Sequence, residues 1–196
     1  MEHIIKHETV INLFNDLDID LDAVSHHFQH LINVDARYIR DLKINVGNAL
    51  KSQHLAPKES YLLAYATAVN ENCQPLMGAF EGRARAEGAT DEEIAEVVSG
   101  VSLMKTNNVF YRFRHFMHDN TFYQNQPAGI KMTLMMNPVL GKEFFELLSL
   151  VVSALNGCEL CVTSHEASVK QHGASESRIF DAVKLGAVIK GFTGVF

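Results

Sequence analysis

The chain has 196 residues, 47% of them hydrophobic and 20% charged, and its 17 Lys+Arg against 23 Asp+Glu leave a net charge of −6. That hydrophobic content supports the core of one domain or of two small related halves and excludes intrinsic disorder, while the acidic balance excludes a broad nucleic-acid-binding surface. With only 4 prolines and 12 glycines and few stretches that alternate as strands do, the expected class is all-α.

The amino terminus mixes charges through its apolar residues. It has no continuous hydrophobic run of the kind a signal peptide or a membrane span needs, and the longest apolar stretch, Leu147 to Leu155, is too short to cross a bilayer. The expected location is therefore the cytoplasm, where thiols stay reduced and a close cysteine pair points to redox or metal chemistry rather than to a structural bridge. Residues 1–32 are expected to form an N-terminal extension, an appendage marked by Asp16, Asp18, Asp20 and Asp22 and by His26, His27 and His30. The aspartates lack the glycine at position six and the glutamate at position twelve of a calcium loop. His26 and His30, one helical turn apart, are expected on a solvated helix face.

From about Tyr38 the apolar spacing is helical, with breaks at Pro57, Pro75, the Gly88 region, Pro127, Pro138, Gly157 and Gly173. A shift of 85 residues aligns Cys73 with Cys158, Glu81 with Glu166, and Gly88-Ala89-Thr90 with Gly173-Ala174-Ser175. Residues 33–196 thus read as a helical domain built from a duplicated unit, one degenerate repeat over about 55–105 and one active repeat over about 140–196. In each, the glycine suits a C′ position and the following Thr or Ser an N-cap. Duplication also acts as an internal control: the counterparts of Cys161, His165 and Glu146 are Leu76, Phe80 and Tyr61, none suited to be redox thiol, base or carboxylate. Core filling alone would have been served by apolar residues in both halves. Cys73 is expected to be a packed small hydrophobe, and the aromatic and cationic run Tyr111 to Phe116 to lie in a buried helix or a subunit interface.

Cys158 and Cys161 follow the turn dipeptide Asn156-Gly157, which should end one helix and begin another near Cys158. In a first helical turn, unpaired backbone N–H groups and the helix dipole favour thiolate, and cysteines at i and i+3 are close enough for a reversible disulfide. At about 100° per residue, His165 falls roughly 20° around the helix from Cys158 and one turn beyond Cys161, placing all three on one face. An imidazole there can accept a thiol proton and return it to a leaving group. Glu146, twelve residues before Cys158 in an otherwise apolar helix, is suited to orient that imidazole. The same four residues are also chemically acceptable zinc ligands, although structural zinc sites usually draw a second ligand pair from a separate knuckle; no metal is the expected state.

The pattern Glu146, eleven residues, Cys158-x-x-Cys161, three residues, His165 resembles the alkyl hydroperoxidase D family of the carboxymuconolactone decarboxylase-like superfamily. The resemblance extends through Lys105-Thr-Asn107-Asn108-Val-Phe110-Tyr111-Arg112 and Met136-Asn137-Pro138 and covers about residues 33 to 196. It implies a duplicated all-helical fold, assembled as a homotrimer or higher homo-oligomer, that reduces peroxides and regenerates a two-cysteine peroxiredoxin. It implies no tightly bound cofactor; dihydrolipoamide is the electron-donating co-substrate, carried as the lipoyl group of a 2-oxoacid dehydrogenase component. It assigns the peroxide-reactive sulfur to Cys161 and the resolving thiol to Cys158, whereas helix electrostatics alone favour Cys158 as the more acidic thiol. Relatives can carry a histidine where this chain has Leu160, which puts a relay through that position in doubt. Two other readings stand beside this one: a lactone decarboxylase, which has no need of a dithiol, and a non-catalytic redox sensor or helical interaction module.

Overall fold

The computed structural model describes residues 7–196. The first six residues of the expected N-terminal extension lie outside the described residues. Ten α-helices follow one another: α1 (Glu8–Leu17), α2 (His26–Asn33), α3 (Tyr38–Leu50), α4 (Pro57–Glu71), α5 (Gln74–Ala86), α6 (Asp91–Phe116), α7 (Thr121–Asn125), α8 (Lys142–Leu155), α9 (Glu159–Gln171) and α10 (Glu176–Thr193), with no strand among the described residues. None of these helices is long and apolar enough to cross a membrane.

The repeat is visible in the helix boundaries. Helices α8, α9 and α10 each begin 85 residues after α4, α5 and α6. The punctuation matches too. Gly88 and Gly173 both sit at positive φ just past a helix end, where a Cβ would be strained, and Thr90 and Ser175 both accept the backbone N–H three residues on. Two polar arrangements survive in both halves, one of them with its charges exchanged. Lys58 meets Glu93 at 2.7 Å where Glu143 meets Arg178 at 2.8 Å, the same two places with the charges reversed. Glu96 of α6 accepts the Val139 and Leu140 N–H groups on the approach to α8, and Asp181 of α10 bonds Ser52 and His54 on the approach to α4. Each repeat's third helix therefore anchors the segment leading into the other repeat.

Helix α8 is the centre of the molecule. It packs on α4, α6, α9 and α10, and every residue from Phe144 to Ser153 is buried. At about 1.5–3 kcal/mol for each large apolar side chain, Phe145, Leu147, Leu148, Val151 and Val152 fix this helix in place, and they carry Glu146, Ser149 and Ser153 into the interior with them. The N-terminal charges overlie an apolar stripe that was not evident from composition. Val10, Leu13, Phe14 and Leu17 repeat at helical spacing and are buried, and Phe14 stacks on Phe196 while Phe28 meets the same ring edge-on. Residues 7–32 of the expected extension are therefore packed onto the body, with α1 against α3 and α5 and α2 against α3.

Candidate active site

The turn between α8 and α9 positions the cysteines. Helix α8 closes on Asn156, and Gly157 takes φ +68°, so that the Cys158 N–H reaches back to the Ser153 carbonyl at 3.1 Å and the Gly157 N–H to that of Ala154 at 3.1 Å. This is the helix stop that Asn-Gly signals. In the first repeat the corresponding left-handed residue is Asn72, again followed by a cysteine at the N-cap of the next helix. A partly buried amide network locks the turn. Asn156 exchanges side-chain hydrogen bonds with Asn70 and donates to Asn108 Oδ1 at 2.9 Å, Asn108 donates to Ser153 Oγ at 2.9 Å, and Arg112 Nη1 donates to the Asn156 carbonyl at 2.7 Å.

Cys158 is the N-cap of α9. Its Sγ accepts the Cys161 N–H at 3.3 Å, and it is fully buried. The two sulfurs are joined as a disulfide with Cα atoms 5.3 Å apart. Cys161, 6% exposed, and His165, 9% exposed, line a cleft of about 270 Å³ together with Asn107, Tyr111, Met132, Met135, Leu160 and Ser164. Cys158 is absent from that lining, so the sulfur that meets the cleft is the second one.

Glu146 is 3% exposed. His165 Nδ1 lies 2.7 Å from its Oε2, and Lys142 Nζ lies 2.9 Å from its Oε1. An unpaired carboxylate in this position would cost several kcal/mol. Burial pushes its pKa upward, but the hydrogen bonds from His165 and Lys142, with the lysine's positive charge, prevail and hold the group at about 2. An ionised carboxylate only accepts hydrogen bonds, so His165 Nδ1 carries the proton between them and Nε2 is left for the cleft.

All four residues singled out in the sequence therefore meet at one place: Glu146 on α8 bonded to His165 on α9, one turn beyond the Cys158–Cys161 pair. Several partners carried no assigned role. Asn107 and Tyr111 of α6 face the cleft while Asn108 and Arg112, one residue on, brace the turn. Lys142 had a readable signal, since it is a cation four residues before Glu146. Met132 and Met135 had none, because they arrive from an irregular segment. Phe113 and Phe116 depart from the buried-helix expectation: they are exposed, as α6 there runs beyond the packed body. Cys73 is buried and free, and burial raises its thiol pKa. Among the described residues, no three His, Cys, Asp or Glu side chains are grouped to hold a metal ion.

Comparison with known proteins is decisive on family. The chain is 39% identical over 154 residues to alkyl hydroperoxide reductase AhpD of Rhizorhabdus wittichii, covering 78% of this chain and 87% of the relative. The chain belongs to the AhpD family. AhpD of Anaeromyxobacter dehalogenans is 39% identical over 150 residues, covering 76% of this chain and 80% of that protein, and AhpD of Streptomyces coelicolor is 34% identical over 153 residues, covering 78% and 85%. The Carboxymuconolactone decarboxylase family model matches residues 123–195, a span that holds Cys158 and Cys161 and excludes the first repeat. The fold also matches the crystal structure of a putative gamma-carboxymuconolactone decarboxylase subunit from Burkholderia xenovorans, with a TM-score of 0.66 at 16% identity over 96% of this chain and 91% of that one. The AhpD fold inferred from the resemblance, all-helical and duplicated, is the observed one.

Proposed function

We propose that this protein is an antioxidant dithiol peroxidase that reduces alkyl hydroperoxides through Cys161 and Cys158. The observation that carries the reading is the asymmetry of the pair: Cys161 opens with His165 on a largely apolar cleft while Cys158 lies fully buried in bonding contact behind it. Relatives named alkyl hydroperoxide reductase support the same chemistry.

In the reduced enzyme, His165 Nε2, with Nδ1 anchored on Glu146, takes the Cys161 proton. The thiolate attacks the terminal peroxide oxygen and the O–O bond breaks. The alkoxide takes the proton back and leaves as an alcohol, and Cys161 becomes a sulfenic acid. The Cys158 thiol displaces its hydroxyl as water, giving the disulfide. A dihydrolipoyl dithiol then opens that bond by exchange and becomes the cyclic disulfide, so each peroxide consumes one dithiol. The same exchange run against a two-cysteine peroxiredoxin disulfide would recharge that partner. In this scheme dihydrolipoamide, carried on a 2-oxoacid dehydrogenase component, is the donor and no bound cofactor is required. Leu160 adds apolar wall to the cleft where relatives can place an imidazole, so the proton passes through His165. Exposed Phe113, Phe116, Phe122 and Met136 support assembly of several copies, a homotrimer or higher homo-oligomer on this reading.

The test couples dihydrolipoamide to lipoamide dehydrogenase and follows NADH consumption with tert-butyl hydroperoxide, with and without a two-cysteine peroxiredoxin. Steady turnover, stimulated by the peroxiredoxin and abolished in Cys161→Ser, is expected, and Cys158→Ser should trap a dimedone-reactive Cys161. No turnover by the wild-type protein refutes the proposal. A disulfide that still forms reversibly in that case would favour the redox-sensor reading.

A further inference from the structure

We infer that Lys142 is a positioning residue that ties the wall of the cleft to the carboxylate behind His165. The inference rests on the peroxidase reading for what the site acts upon, but its geometry stands without it. Lys142 Nζ lies 2.9 Å from Glu146 Oε1 and donates to the Met135 carbonyl at 2.7 Å. One ammonium therefore holds a buried carboxylate oxygen and a backbone carbonyl of a residue that lines the cleft.

Helix stability does not account for this lysine. It is the first residue of α8, where a cation opposes the helix macrodipole and an acidic or capping residue would serve better. Nor is it an ordinary surface i,i+4 pair, a type that contributes little. Its side chain is 35% exposed, but its acceptor is not, and removing the ammonium strands a buried Oε1 with no donor. The segment between α7 and α8 has a single short 3-10 turn, Thr133–Met135, and is tied to the body by Glu96 at Val139 and Leu140, by Asn107 at Met132, and by Lys142 at Met135. Of these ties, the one through Lys142 also touches the Glu146–His165 pair.

Electrostatics gives the sign. The titratable groups that line the cleft or touch the carboxylate are Cys161 and His165 of α9, Tyr111 of α6, and Lys142 and Glu146 of α8. With the ammonium gone, the carboxylate charge is less compensated, and a thiolate forming beside it is disfavoured.

The experiment compares wild type, Lys142→Met and Lys142→Arg. Iodoacetamide alkylation of Cys161 in the reduced protein is followed against pH by peptide mass spectrometry. The Lys142→Met midpoint should move to higher pH by about half a unit or more, and Lys142→Arg should return it most of the way. In the coupled peroxidase assay, Lys142→Met should also raise KM for cumene hydroperoxide by a several-fold larger factor than KM for hydrogen peroxide, because both feel the loss of thiolate while the loosened wall touches only the larger apolar substrate. An unmoved alkylation midpoint, or an equal shift in both variants, overturns the positioning role. Equal KM changes for both peroxides overturn the link to the wall. Alkylation needs no peroxide turnover, so a wild-type protein inactive with peroxides would sink the proposed function and leave the role of Lys142 to be decided by its pH profile.

Discussion

Replacing Glu146 with glutamine tests the buried charge on which the site is built. The native carboxyl is held at about 2 against an ordinary value of 4.5. At roughly 1.4 kcal/mol per pH unit, its ionised form contributes about 3 kcal/mol to folding at neutral pH. Because the folded value is depressed, that contribution is fully present above the ordinary carboxyl range and is lost as pH falls from near 4.5 towards 2. Glutamine keeps the shape and one acceptor oxygen but leaves Lys142 without its counter-charge and His165 without an anionic anchor. Urea denaturation of the oxidised proteins should show Glu146→Gln less stable than wild type by about 3 kcal/mol between pH 5 and 7, with less than half of the difference remaining near pH 3. A gap that is flat with pH, or below about 1 kcal/mol at pH 7, would refute the claim that Glu146 is a buried, ionised partner of Lys142 and His165.

Two further substitutions test the packing that carries the site. A Cβ on Gly186 would sit 2.6 Å from Val151 Cγ1 on the facing helix, so Gly186→Ala should cost a net 1–2 kcal/mol or roughly that, the clash outweighing the alanine's helix propensity; adding Val151→Ala should remove the clash, and a Gly186→Ala protein as stable as wild type in urea would contradict it. Arg178 donates to both Glu59 and Glu143 with little exposure on any partner. Burial raises the Glu59 pKa, but the Arg178 hydrogen bonds outweigh it and hold that carboxyl below its ordinary range. Arg178→Met should therefore lower stability by about 2–3 kcal/mol at pH 7 and by less under acid, where the stranded carboxylates protonate. Thermal unfolding at pH 7 and pH 4 measures this, and an equal loss at both would contradict it.

What could be read in advance followed the distance over which each signal acts. The helix stops at Gly88, Gly157 and Gly173 and the caps at Thr90 and Ser175 are local, and the residues that make them are adjacent in sequence. Glu146 was identifiable because a carboxylate inside the run from Phe144 to Val152 has to find a partner, and His165 had the right helical phase to be one. The amide network was not identifiable, since Asn70 of α4, Asn108 of α6 and Asn156 of the turn after α8 are far apart in sequence, and an asparagine's partners are set by tertiary packing. The N-terminal stripe was obscured for a different reason. Asp16, Asp18 and Asp20 dominate the composition, while Val10, Leu13, Phe14 and Leu17 signal their burial only through phase.

The duplication separates scaffold from chemistry within a single molecule. Both repeats build the same left-handed stop after their first helix, the same cysteine N-cap and the same 85-residue spacing of helix starts. The backbone that presents the Cys158–Cys161 pair is therefore available twice and cannot by itself be what makes a site. In the first repeat, Leu76 and Phe80 are fully buried where Cys161 and His165 would stand, and Tyr61 faces Arg83 in place of a carboxylate. In the second, those positions carry a sulfur, an imidazole and a carboxylate, and a lysine four residues before the carboxylate takes the place of Pro57. A cation at the start of a helix is unfavourable unless it has a specific partner, and Lys142 occurs in the half that has one. On the proposed function, the differences that bear on chemistry are those that set groups able to hold or move a proton near one sulfur, which is where selection for thiol chemistry, as distinct from selection for folding, would act.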